Sequence, residues 1–162
     1  MQILKPKQFL WPLVAVYVVL AIIYSIITPI FEASDELWHY PMVEYIATNN
    51  FNLPVQDSAN ETALRQEGSQ PPLYYLAAAL LTAGIDSSNL DVVRRLNPHA
   101  DIGFLRPDGN ANMITHRDNA ESFPWRGAAL AVHVARLFSV ILGAGTVIVT
   151  FALASVVFPD RP

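Results

Sequence analysis

The chain has 162 residues, 52% of them apolar and 15% charged, with a net charge of −4 and no cysteine. The charge balance excludes a basic nucleic-acid footprint, and the missing thiols exclude a disulfide framework and a thiolate metal site. The apolar residues concentrate in 9–31 and 127–158, with a polar middle between them. The expected fold class is therefore an all-α membrane protein: two transmembrane helices joined by a long extracytoplasmic loop that carries short interfacial helices.

Residues 1–8 form a tail with Lys5 and Lys7 and no acid. Residues 9–31 then run without a charge, and about 20 apolar residues suffice to cross a hydrocarbon core of ~30 Å as a helix. This is the first predicted span, with Trp11 as an interfacial anchor, Pro12 in its first turns and Pro29 marking its exit. The preceding lysines place the N-terminus in the cytoplasm. A cleaved signal peptide is the alternative, but its apolar core is usually about 7–15 residues and ends at a small-residue cleavage site, and neither feature is present.

Glu32, Asp35, Glu36 and His39 follow the run at once. Ionisable groups at the edge of a bilayer are costly and by default mark function. Ser34 is expected to cap a helix over 35–48, with Asp35 and Glu36 in its first turn and Asp35 and His39 on one face. Pro41 removes the donor to the Leu37 carbonyl, so a kink or restart is expected there. Trp38, Met42, Tyr45 and Ile46 recur at helical spacing, which predicts an amphipathic helix lying along the membrane surface. The bland reading of Asp35 and Glu36 is that they only cap this helix.

Residues 49–70 read as a loop, in which Asn60-Glu61-Thr62 matches a glycosylation acceptor by a triplet common by chance. Gln70-Pro71-Pro72-Leu73-Tyr74-Tyr75 opens an apolar stretch to Ile85 that is too short to span. It predicts a second interfacial helix near 72–85, with a buried helix of a soluble domain as the alternative. Residues 86–126 hold turn signals at Asn97-Pro98, Arg106-Pro107-Asp108-Gly109 and Phe123-Pro124, and His99 and His116 near carboxylates. No spacing there matches a known metal-ligand pattern.

The second apolar run, 127–158, is interrupted only by His133 and Arg136. Residues 137–158 suffice to span, 127–136 form an outer helical extension, and Gly143 and Gly145 suggest close packing against another helix. Arg136 lies near the outer interface, where it either snorkels to headgroups or faces a phosphate. Residues 159–162 are then cytoplasmic. Between the spans, 32–126 carries 13 acids, 6 arginines and no lysine, an asymmetry that agrees with the positive-inside rule.

The order of these features carries a resemblance. A span, then Asp35-Glu36-x-x-His39-Tyr40, then Gln70-Pro71-Pro72-Leu73-Tyr74-Tyr75, then Arg136-Leu137-Phe138-Ser139 opening a second span, resembles the N-terminal part of GT-C membrane glycosyltransferases. These include the dolichyl-phosphate-mannose protein mannosyltransferases and the bacterial aminoarabinose transferase-like family 39 enzymes. The insertion before Arg136 and Pro41 depart from that pattern. The resemblance implies about a dozen spans in the complete enzyme, so this chain is expected to be a fragment, inactive alone and completed by further transmembrane helices. It implies a prokaryotic plasma membrane as the location and a polyprenyl-phosphate sugar as donor. Inverting transfer to an acceptor hydroxyl needs a general base, a role that falls to Asp35 with Glu36 orienting. Arg136 and, more weakly, His39 would meet the leaving phosphate, and Gln70 and Tyr74 would line the sugar or acceptor cleft. No cofactor is implied; some relatives use a divalent metal and others do not. The competing class is a non-enzymatic two-span subunit or sensor with an acidic outer loop.

Overall fold

The structure, a computed structural model, describes residues 6–55, 64–100 and 112–158. The glycosylation triplet at Asn60 and the turn at 106–109 lie outside the described residues. The described chain is helical, and its one extended pairing is an isolated antiparallel bridge between Leu96 and Ile114. It divides into two compact units. The first comprises Met1–Ile27 and Arg136–Pro162; the second comprises Thr28–Ala135.

The first unit holds helix α1, Pro6–Ile27, and all but the first turns of helix α6, Gly127–Val157. Both are long and apolar enough to cross a membrane. Their large side chains are extensively exposed, among them Trp11 at 66%, Leu20 at 60%, Ile141 at 68% and Val149 at 66%. Apolar surface on that scale is unfavourable in water and suits a lipid surround. The first apolar run was expected to stay helical to residue 31, but α1 stops at Ile27. Thr28 precedes Pro29, and the residue before a proline is pushed out of the helical region. Within this unit a Cβ on Gly143 would run into the Tyr17 hydroxyl, whereas one on Gly145 would meet nothing within 4 Å. Only Gly143 of the pair therefore marks a close approach of α6 to α1.

The second unit is not an open loop but a helical body with its own core. Its centre is α2, Glu36–Thr48, which buries Leu37, Tyr40, Pro41, Met42, Val43 and Ile46. That set covers more than one side of the helix, so α2 is a core element of this unit. Trp38 and Tyr45, two of the four residues in the expected surface stripe, are only half-buried. A 3-10 turn at Arg65–Ser69 and helix α3, Leu73–Thr82, pack on α2, and α3 contributes Tyr75, Ala78 and Ala79 to the core. Two short helices follow, α4 at Leu90–Val93 and α5 at Asp118–Glu121. The first turns of α6 close the core with Ala128, Ala129, Ala131 and Val132.

α6 owes its start to a distant residue. The Asn89 Oδ1 accepts the Ala128 N–H at 2.8 Å, capping the helix from 39 positions away. Gly127 has φ +58°, and a Cβ there would collide with the Asn89 amide. Both facts favour glycine at this position.

Candidate functional site

Residues 28–35 connect α1 to α2 and carry Glu32 and Asp35, and Glu36 opens α2; the three carboxylates are each held differently. Phe31 and Asp35 both have left-handed backbone, with φ of 65° and 59°. Aspartate tolerates that conformation, but a bulky phenylalanine seldom adopts it and needs support. Support comes from Glu36, whose Oε2 accepts the Phe31 N–H at 2.6 Å, and from burial of the Phe31 ring beside Tyr40 at 6.0 Å between centroids.

Glu32 ties this segment to another far along the chain. Its carboxylate accepts the N–H groups of Met113 at 2.9 Å and Ile114 at 3.2 Å, and faces His116 Nε2 at 3.0 Å. On its other side His116 Nδ1 meets Glu121 at 2.7 Å. Both ring nitrogens therefore face carboxylates. His116 thus has a structural role. Among the described residues, no group of three histidine or acidic side chains is arranged to hold a metal ion.

Asp35 differs from both glutamates. It occupies the N-cap position of α2, where Ser34 was expected, and its side chain makes no capping bond. The helix start is secured by its backbone instead, since the Asp35 carbonyl accepts the amides of Trp38 at 2.9 Å and His39 at 3.0 Å. The left-handed turn explains the change, because it withdraws the short side chain from the amides that a cap in extended backbone would meet. The Asp35 side chain is exposed to solvent.

His39 lies one turn into α2, and its Nδ1 is 2.6 Å from the Tyr75 hydroxyl, with the two rings stacked at 5.9 Å. Burial, then the charge of Glu67, then Tyr74, hold the Tyr75 phenol above its ordinary range. The direction of the bond between His39 Nδ1 and the Tyr75 hydroxyl is set by the imidazole tautomer. Tyr74 packs edge-on against Tyr75 at 5.5 Å. Gln70 sits on the exposed lead into α3, with its N–H donating to the Glu67 carbonyl. Asp35, Glu36, His39, Gln70 and Tyr74 all fall in the second unit, where α3 packs on α2.

Arg136 falls in the first unit, and its Nη1 donates to the Ser25 carbonyl at 2.7 Å. Ser25 lies in the last turn of α1, where carbonyls lack helical partners and a cation is favoured. Arg136 therefore joins the two apolar helices, a role the sequence reading did not include.

Two further features escaped the sequence reading. Arg94 donates from Nε to the Leu37 carbonyl at 2.8 Å and stacks over Trp38 at 5.1 Å. Glu67 is 4% exposed, and its Oε2 has no hydrogen-bond partner among the described residues. Proline at 41 signals an orphaned Leu37 carbonyl, but nothing local signals which side chain fills it. A shallow depression of about 480 Å³ lined by Val92, Arg117, Asn119 and Ala120 contains none of the expected site residues. No protein-family model, curated protein or solved structure matches this chain.

Proposed function

We propose that these residues form the first two spans and first outer segment of an integral-membrane glycosyltransferase. The enzyme moves a sugar from a polyprenyl-phosphate donor to an acceptor hydroxyl on the outer face of a prokaryotic plasma membrane. In this reading the second unit lies outside and both chain ends lie in the cytoplasm. Further transmembrane helices complete the enclosure around the donor lipid.

The observation that carries the reading is the division of labour among the carboxylates. Glu36 supports Phe31 and Glu32 pins Met113, Ile114 and His116, whereas Asp35 is exposed and caps nothing with its side chain. A left-handed turn that presents an exposed carboxylate with no capping bond, beside the strained Phe31, favours a functional position. Asp35 follows the end of α1 by eight positions, so a membrane-embedded α1 holds it near the headgroup plane, where a lipid-linked sugar presents its anomeric carbon. Asp35 accepts the proton of the attacking hydroxyl as the C–O bond to phosphate breaks. Within the second unit, His39 stabilises the departing phosphate. Gln70 and Tyr74 line the cleft, and Glu36 acts on Asp35 through the shape of the loop.

The test is turnover of a labelled polyprenyl-phosphate sugar by the complete gene product in membranes. Asp35→Asn is expected to lower turnover by ~10²–10⁴-fold with membrane insertion and donor binding retained. Wild-type turnover in that variant removes Asp35 from the mechanism.

A further inference from the structure

Glu67 is a buried carboxylate that the proposed chemistry does not use. The 3-10 turn carrying it, Arg65–Ser69, packs on α2. Its backbone is satisfied: the Glu67 N–H donates to the Leu64 carbonyl and the Gln70 N–H donates to the Glu67 carbonyl, both at 3.0 Å. The side chain is 4% exposed and its Oε2 is unpartnered among the described residues. An oxygen placed so is costly, because burial removes its water and no donor among the described residues replaces it. Such exceptions among buried polar groups call for an explanation, and a ligand that brings the donors is one.

Its surroundings narrow the ligand. The nearby Tyr75 feels the Glu67 charge, but the Tyr75 hydroxyl is committed to His39 Nδ1 at 2.6 Å. His39 is one turn from Asp35, whose carbonyl accepts its amide. Glu67 thus lies within electrostatic reach of Tyr75, which bonds His39, one turn along α2 from Asp35. Glu67 belongs to no group of three or more acidic or histidine side chains able to hold a metal ion among the described residues. An acceptor-only group with two oxygens matches the neighbouring hydroxyls of a sugar ring.

We propose that Glu67 is a specificity-determining residue of this site, its carboxylate accepting hydrogen bonds from hydroxyl groups of the sugar on the lipid donor. The proposal rests on the glycosyltransferase reading and adds to it the residue that distinguishes sugar-bearing lipid from bare lipid phosphate.

The complete chain in nanodiscs is titrated with three probes: polyprenyl-phosphate mannose, polyprenyl-phosphate glucose and bare polyprenyl phosphate. The wild type is expected to prefer a sugar-bearing lipid. Glu67→Gln should weaken that lipid ~10-fold or more, as expected for a lost hydrogen bond to a charged group. Binding of bare polyprenyl phosphate should stay within about twofold, and the ligand-free Tm should hold or rise as a buried charge disappears. Glu67→Asp, which keeps the charge but draws it back, should fall between the two. Unchanged sugar preference in Glu67→Gln overturns the proposal. So does a lowered Tm with equal losses for all three lipids, since that marks a structural carboxylate. A wild type that binds bare lipid phosphate without sugar preference overturns it too, leaving the general reading standing. A wild type that binds none of the three overturns the glycosyltransferase reading, and this proposal with it.

Discussion

Arg94 donates its Nε–H to the carbonyl of Leu37, 57 residues earlier, at 2.8 Å. That carbonyl is the one Pro41 deprives of its helical donor, and α2 runs unbroken from Glu36 to Thr48 with Pro41 inside it. A long-range side chain thus replaces the missing amide, and α2 does not restart at Pro41.

Arg94→Met should therefore destabilise the protein by about 1–3 kcal/mol, the cost of leaving a buried carbonyl unpaired. Pro41→Ala in the same chain should recover much of that loss, because alanine restores an N–H aimed at Leu37. Thermal unfolding of the two single variants and the double variant gives the coupling between the sites. Additive losses would show that Arg94 acts through its stack on Trp38 instead.

Glu32 and Asp35 should separate cleanly by experiment. Glu32→Gln disturbs bonds to Met113, Ile114 and His116 and is expected to cost about 1.5–3 kcal/mol of stability. Asp35→Asn should leave the unfolding midpoint within the small range typical of surface changes. Circular dichroism melts of both variants in detergent check this. A large loss in Asp35→Asn would make its carboxylate structural.

Stability should fall with rising pH through Glu44. Burial first, and the Asp91 charge second, raise its carboxyl above the ordinary value of 4.5. A raised folded-state pKa means the folded protein holds the proton more tightly than the unfolded chain. The full contribution is present below the unfolded pKa and is lost as pH climbs through the folded one. Glu44→Gln should match wild type near pH 4 and exceed it at pH 7, and Asp91→Asn should recover part of the same difference. Melts across that window decide; a gap that widens toward acid would reverse the sign.

The glycines should behave unequally. Gly127→Ala combines a positive φ with a collision at Asn89 and should cost about 1–3 kcal/mol. Gly145→Ala meets open space and should gain a few tenths up to ~1 kcal/mol from helix propensity. Gly143→Ala should destabilise by pushing away the Tyr17 hydroxyl, and Tyr17→Phe should relieve part of that. Detergent melts of the four variants supply the ranking.

Length and absence of charge are local, additive properties, and from them the sequence by itself located two helices able to span a membrane, α1 and the greater part of α6. Turn chemistry and periodicity likewise placed α2 and α3 to within a few residues, because helix starts depend on neighbouring positions. The acidic cluster after the first apolar run was equally visible, but not the fate of each acid within it. The tertiary structure decided that Glu32 is consumed by Met113, Ile114 and His116, that Glu36 turns back to Phe31, and that Asp35 stays exposed. It also decided that Arg94 makes Pro41 tolerable, that Asn89 starts α6 and that Arg136 clasps the end of α1. Each of those bonds except the one from Glu36 joins residues dozens of positions apart. A hydrogen bond over such a separation depends on how the intervening chain closes, and no window of sequence contains that information.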